Sequence, residues 1–269
     1  MTTITGHRTA AFVLISVFIP LIVLQLTGCM QSTEALIAEL KDIKPDVRAR
    51  AAEELGKRKD RRAVQPLIEV LRSDPRSYVR DSAAEALGQI GDPAAVDALL
   101  DALAEYEYWP LREASAEALG IIGDSRAVNG LIQLLGDPVK YVRDEAARAL
   151  GRLKDPSAVP ALIVVLEDSS EQVRYNAAEA LGEIKDPRAI EPLIQKLNDA
   201  DPKVQGESER VLMVMTGNDF GLDAERWSRW WAENKSQYED PQVFKAFAEM
   251  NEKKYNDAVL EEIKRRRKK

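Results

Sequence analysis

The pair Val-Arg recurs through this chain at Val47-Arg48, Val79-Arg80, Val142-Arg143 and Val173-Arg174. Leu111-Arg112 is a variant and Val204-Gln205 a degenerate last copy. The steps between copies are 32, 32, 31, 31 and 31 residues. Eight residues after each Val or Leu stands a leucine: Leu55, Leu87, Leu119, Leu150, Leu181 and Leu212. Glycine follows it in the first five copies (Gly56, Gly88, Gly120, Gly151, Gly182), and Met213 in the sixth. A fixed period of this size constrains the fold more than any local propensity. Each copy is one supersecondary unit that buries its apolar face only against neighbouring copies.

Each unit reads as two helices. Ala158–Leu166 carries apolar residues at helical spacing, and so does Val142–Leu153. Asp92-Pro93, Asp155-Pro156 and Asp186-Pro187 put a capping carboxylate before a proline at a helix start, and Asp60 and Asp124 share that phase. Asp74-Pro75, Asp137-Pro138 and Asp201-Pro202 mark the other turn of the unit. The pairs Ala51-Ala52, Ala83-Ala84, Ala146-Ala147 and Ala177-Ala178 remove bulk where helices must approach closely. No strand-like run interrupts the pattern.

The pattern Asp-Pro-x-Ala-Val-x-x-Leu-x-x-x-Leu, followed by Val-Arg-x-x-Ala-Ala-x-Ala-Leu-Gly, resembles HEAT repeats, in particular the short HEAT-like type of phycobilin lyases. The resemblance spans roughly residues 33–215. It implies an all-α, right-handed α-solenoid of about five to six helix pairs, with the Val-Arg helices on the concave side. Such an array needs caps. Residues 33–41 read as a lone first helix. After the last repeat, Trp227, Trp230 and Trp231 fall on one face of a helix and suit a lid on the array. Residues 242–263 form a further helix with Phe244, Phe247, Met250 and Tyr255 partly on one side. It ends in six consecutive basic residues, Lys264 to Lys269. The organisation expected is a signal segment at 1–28, a solenoid at 29–215, a tryptophan-rich cap at 216–238 and a charged helix with a basic tail at 239–269.

The amino terminus sets the compartment. Arg8 precedes an apolar stretch from Ala10 to Leu24, and Leu26-Thr27-Gly28-Cys29 follows. These are the parts of a secretory signal. About 15 apolar residues interrupted by Pro20 are short for a membrane span, which needs roughly 20. Leu-Thr-Gly-Cys resembles the bacterial lipoprotein signal, which implies cleavage before Cys29, lipidation of its thiol and attachment to a membrane of the cell envelope. By the same resemblance, Met30 rather than Asp after the cysteine favours the outer membrane facing the periplasm in a Gram-negative cell.

Cleavage there removes the only histidine, His7, and lipid caps the only cysteine. The mature chain then lacks imidazole and free thiol, which excludes Ser-His-Asp and Cys-His catalysis and nearly all zinc sites. No catalytic residue, metal or cofactor is expected. Loss of Arg8 moves the net charge from −7 to −8, and an acidic surface disfavours nucleic acid, whose phosphates must be neutralised.

Binding residues are sought where the repeat varies, because strict recurrence of Arg48, Arg80, Arg112, Arg143 and Arg174 suits a scaffold better than a single site. Counting each Val or Leu of the Val-Arg pair as position one, positions three and seven share a helical face. Position three reads Ala49, Asp81, Glu113, Asp144, Tyr175, Gly206, and position seven Glu53, Glu85, Glu117, Arg148, Glu179, Arg210. If these helices line the concavity, an acidic stripe of Asp81, Glu85, Glu113, Glu117, Asp144 and Glu179, with Tyr175, runs along it. One turn breaks the repeat rule: Glu105-Tyr106-Glu107-Tyr108-Trp109-Pro110, whose Tyr106, Tyr108 and Trp109 are typical interface anchors.

The expected function is a non-catalytic, membrane-tethered scaffold that binds a protein partner with a basic segment through the stripe and this turn. Two alternatives are envelope polymer or lipid binding through the tryptophans and basic tail, and a tetrapyrrole lyase activity implied by the phycobilin-lyase resemblance. Near an anionic bilayer each tail charge contributes about 1 kcal/mol.

Overall fold

The computed structural model describes residues 31–267; Cys29, the apolar stretch before it and the last two lysines lie outside them. The described chain is helical, without strands. Two rows of helices alternate. The outer row is α1 (Thr33–Glu39), α3 (Val64–Ser73), α5 (Val96–Ala102), α7 (Val128–Leu134), α9 (Val159–Val165) and α11 (Ile190–Lys196). The inner row is α2 (Pro45–Arg58), α4 (Ser77–Ile90), α6 (Trp109–Ile122), α8 (Lys140–Leu153), α10 (Glu171–Ile184) and α12 (Pro202–Thr216). The expected solenoid of helix pairs is therefore the architecture observed.

The aspartates before each outer helix behave as caps with one refinement. Asp60, Asp92, Asp124, Asp155 and Asp186 each accept the backbone N–H two residues on, and the element they start is a 3₁₀ turn that feeds the α-helix. A tighter first turn satisfies end-of-helix amides that have no intrahelical acceptor.

The recurring glycine has a packing reason. A Cβ on Gly56 would sit 2.7 Å from the Cα of Ala86, on Gly88 2.7 Å from that of Ala118, on Gly120 2.8 Å from the Cβ of Ala149, and on Gly151 3.0 Å from the Cα of Ala180. The alanine of each Ala-Leu-Gly thus seats against the glycine of the preceding copy. Inner helices stack at backbone contact, while in the outer row Leu100 and Leu103 stand between α5 and Gly130 of α7. The closer-spaced row of a curved stack is its concave side, so the Val-Arg helices form the concavity. Met213 fits the glycine position of α12 because no inner helix follows.

Beyond the repeats, α13 (Ala224–Asn234) and α14 (Pro241–Arg267) close the array. Trp227 is fully buried and its indole N–H donates to the Gly221 carbonyl at 2.9 Å. Phe220 meets Trp227 edge-on at 4.7 Å, and Trp231 stacks on Tyr238 at 5.8 Å, which meets buried Phe244 at 5.0 Å. The aromatics pack on each other, which leaves the tryptophan face poorly suited to be a ligand platform. On α14 the apolar side differs from expectation at one residue: Met250 is 60% exposed, and buried Asn251 faces the solenoid instead. Lys185 ties α14 to the end of α10 through Glu252 at 2.9 Å.

Two glycines test the stacking account. Gly88→Ala should destabilise the fold by about 1–3 kcal/mol through overpacking. Gly206→Ala, whose new methyl meets nothing within 4 Å on α12, should be neutral or stabilising by up to about 1 kcal/mol. Urea melts of the two variants check this, and equal effects would remove the close-approach explanation.

Candidate functional site

The position-two arginines hold successive repeats in register. Arg48, Arg112, Arg143 and Arg174 each make a bidentate pair with an aspartate of the following repeat, Asp74, Asp137, Asp168 and Asp199, with N–O distances of 2.6 to 2.9 Å. Their remaining nitrogens donate to carbonyls in the turn of their own repeat, at Asp42, Glu105, Asp137 and Asp168. Each aspartate also accepts a backbone N–H two residues on. The result is an inter-repeat clip, and the Arg112–Asp137 pair is its most buried copy. Burial opposes ionisation of Asp74, Asp168 and Asp199, but their arginines and backbone donors outweigh it and hold each below the ordinary aspartate value. The last turn departs from the sequence register: Asp199 takes the clip, while Asp201 caps α12. Gln205 still donates to the Asp199 carbonyl at 2.6 Å but has no following repeat to clip.

With both turns so fixed, positions three and seven of the inner helices face the groove. Asp81, Glu113, Asp144, Tyr175 and Glu179 are half-buried along it, and Glu85 and Glu117 are exposed. None of the six carboxylates has an ion-pair partner among the described residues, whereas Glu54, Glu145, Glu183 and Glu207 of the inner helices each pair with a cation. Asp144 accepts from the Asn176 amide. Asp81 keeps one buried oxygen without a donor, and the Tyr108 hydroxyl lies near enough to its carboxylate to oppose the rise from burial. Arg148 offsets the stripe only in part, its charge lowering Glu113, Asp144 and Glu179 against the larger rise from burial. It turns onto Glu145 at 2.8 Å, which Arg152 also binds at 2.8 Å.

The electrostatic cost is visible in the protonation of these groups. Burial pushes Asp81 up to about 6, with Glu85 adding to the rise against the Tyr108 hydrogen bond. Burial, then repulsion from Glu117 and Glu53, raises Glu85. Burial, then Glu145, Glu117 and Asp144, raises Glu113. Asp144 and Glu179 are also raised, chiefly by burial.

A second row was not singled out by the sequence. Position four carries Glu145, Asn176 and Glu207, all buried at the groove floor. Its signal is a carboxylate three residues before an arginine: Glu145 with Arg148, and Glu207 with Arg210. A cavity of about 360 Å³ lies there, lined by Arg148, Arg152, Asn176, Glu179 and Glu183.

The irregular turn is divided between packing and exposure. Glu105 occupies the clip position and meets Arg80 through one bond of 2.9 Å, while the Arg80 Nε donates to the Leu71 carbonyl. Tyr106 is 77% exposed beside the Arg112 guanidinium. Tyr108 turns inward to Asp81, and burial followed by that carboxylate raises its hydroxyl to about 12. Trp109 stacks on Tyr141 of the next repeat at 5.4 Å. No group of three or more His, Cys, Asp or Glu among the described residues is arranged to hold a metal, and none of their helices is long and apolar enough to cross a membrane.

This is a repeat solenoid that offers one extended acidic concave surface. The chain belongs to the HEAT-repeat family: the HEAT repeats model matches residues 33–120 and 128–213, and the PBS lyase HEAT-like repeat matches residues 111–137. The crystal structure of an engineered protein superposes with a TM-score of 0.55 at 25% identity, over 68% of this chain and 96% of that one. A designed armadillo repeat protein in complex with the peptide (KR)4 gives 0.54 at 18% identity, over 68% and 98%. The phycocyanin lyase complex of Nostoc sp. PCC7120 gives 0.41 at 22% identity, over 85% and 98%. No curated protein matches the sequence.

The shifts fix a pH dependence. Groove acids with raised values bind protons better in the folded than the unfolded chain, so their contribution is complete below about pH 4 and is lost as pH rises through 6. The clip aspartates are lowered, so theirs is complete above about pH 4 and is lost as pH falls. Stability should therefore peak near pH 5 and decline on both sides. Asp81→Asn should stabilise by about 1–2 kcal/mol at pH 7 and have little effect at pH 4. Thermal melts across pH check both, and an equal Asp81→Asn effect at the two pH values would refute the account.

Proposed function

We propose that this protein is a non-catalytic HEAT-repeat scaffold that holds an extended basic segment of a partner protein in its concave groove, tethered to a bacterial envelope membrane by lipid on Cys29. The observation that carries the groove reading is the unpaired state of Asp81, Glu85, Glu113, Glu117, Asp144 and Glu179 in a chain whose other half-buried acids are largely clipped or capped. Like charges held together at a desolvated surface are costly, and a cationic ligand relieves that cost while gaining on-rate from long-range attraction. A designed armadillo repeat protein of similar fold forms a complex with the peptide (KR)4, and the concave surface of this chain carries the charge complementary to such a peptide. The tether rests on Leu26-Thr27-Gly28-Cys29 after the Ala10–Leu24 stretch.

A labelled (KR)4 peptide should bind the purified protein, with affinity falling as salt rises. The triple change Glu85→Gln, Glu117→Gln and Glu179→Gln should weaken it by at least about tenfold, each charge contributing about 0.5–1 kcal/mol. Fluorescence anisotropy reads this; an unchanged affinity in the triple variant would sink the groove reading.

The tether is tested in cells. Wild-type protein should take up radiolabelled palmitate and sediment with membranes, and Cys29→Ser should do neither. A labelled, membrane-bound Cys29→Ser protein would refute lipidation at this residue.

A further inference from the structure

The lip of the groove combines two features at one spot. Trp109 opens α6 and Tyr141 lies in the first turn of α8, and the two rings stack at 5.4 Å with 26° between planes. Both remain open to solvent, Trp109 at 37% and Tyr141 at 50%. Helical spacing puts Glu113 one turn below Trp109 and Asp144 one turn below Tyr141, on the groove side of each helix. These two carboxylates are near enough to repel one another. Neither has an ion-pair partner among the described residues: Arg148 pairs with Glu145 and only eases both through space, and Asp144 accepts from the Asn176 amide. The Lys140 ammonium already sits 5.2 Å over the Tyr141 ring, so the shelf accepts a cation.

We propose that Trp109, Tyr141, Glu113 and Asp144 form a subsite selective for an arginine over a lysine in the bound segment, an assignment that rests on the groove reading above. A guanidinium is planar: it stacks flat on aromatic rings while its N–H fork reaches two carboxylate oxygens. An ammonium is a compact, strongly hydrated charge and gains less from a flat shelf. The neighbouring repeats lack this pair. Tyr78 occupies the corresponding edge position, but its hydroxyl donates to Asp46 at 2.7 Å, and no tryptophan stacks on it. The selectivity is therefore local to one register of the peptide.

The test compares labelled octa-arginine and octa-lysine peptides by anisotropy at fixed salt. The arginine peptide should bind the wild-type protein about tenfold tighter. Trp109→Ala and, separately, Tyr141→Leu should bring the two affinities together by weakening the arginine peptide more than the lysine one, with circular dichroism reporting that each variant is folded. Glu113→Gln should weaken the arginine peptide more than the lysine one. Equal wild-type affinities, or a preference that survives both aromatic changes, would overturn the subsite. If both peptides bind equally and Glu117→Gln weakens both, the groove reading stands and only the subsite falls. If neither peptide binds, both fall.

Discussion

The absence of one methyl group per repeat sets the geometry of this solenoid. Gly56, Gly88, Gly120 and Gly151 let the next alanine approach to a distance at which any Cβ would overlap it. That contact fixes the spacing of the inner helices, and the spacing fixes everything mounted on them. Residues at one phase of successive repeats are brought into line, so a like charge at that phase meets its own copies. The raised values of Glu85 and Glu113 follow from this alignment together with burial. Burial raises each of these carboxylates first, and the aligned neighbours add to the rise at Glu85 and Glu113.

The arginine clips serve the opposite purpose on the turns. Each joins a carbonyl of one repeat to an aspartate of the next, so neither charge is left unpaired. A buried pair gives a modest net gain, but removing one partner costs about 3–5 kcal/mol. The clips therefore act chiefly against misregister, because a slipped repeat strands a buried charge. Gln205 makes the logic plain: where no repeat follows, the side chain keeps only the bond to its own turn.

Much of this was legible in the sequence, and the exceptions have physical causes. Helix pairs, capping aspartates and tight Ala-Ala packing follow from a period repeated in phase, and the solenoid observed agrees with them. The groove rows follow from counting by four. What counting does not reveal is which polar side chains sink. Glu145 and Glu207 lie at the floor because arginines three residues on reach back over them, a tertiary outcome that a row of mixed residues does not announce. The Asp199 clip was hidden by Asp201-Pro202, a stronger turn signal two residues away. Met250 fell on the wrong face of α14 because phenylalanines and a methionine look equally apolar, whereas Asn251 meets the turn at Gly217.

The irregular turn shows how the scaffold accommodates an exception. Glu105 stands where an aspartate completes the clip elsewhere, and Arg80 meets it through a single bond. The slack is taken up one repeat later. Arg112 donates to the carbonyls of Glu105 and Tyr106 while pairing with Asp137, with both side chains almost fully buried. The most buried clip in the ladder therefore anchors the turn that departs most from the repeat. A turn that served packing alone would gain nothing from losing its aspartate and exposing Tyr106. One that presents aromatics at the edge of a charged groove needs both changes, and it needs a rigid base. Arg112 and Asp137 supply that base in the first turn of the helix that Trp109 opens.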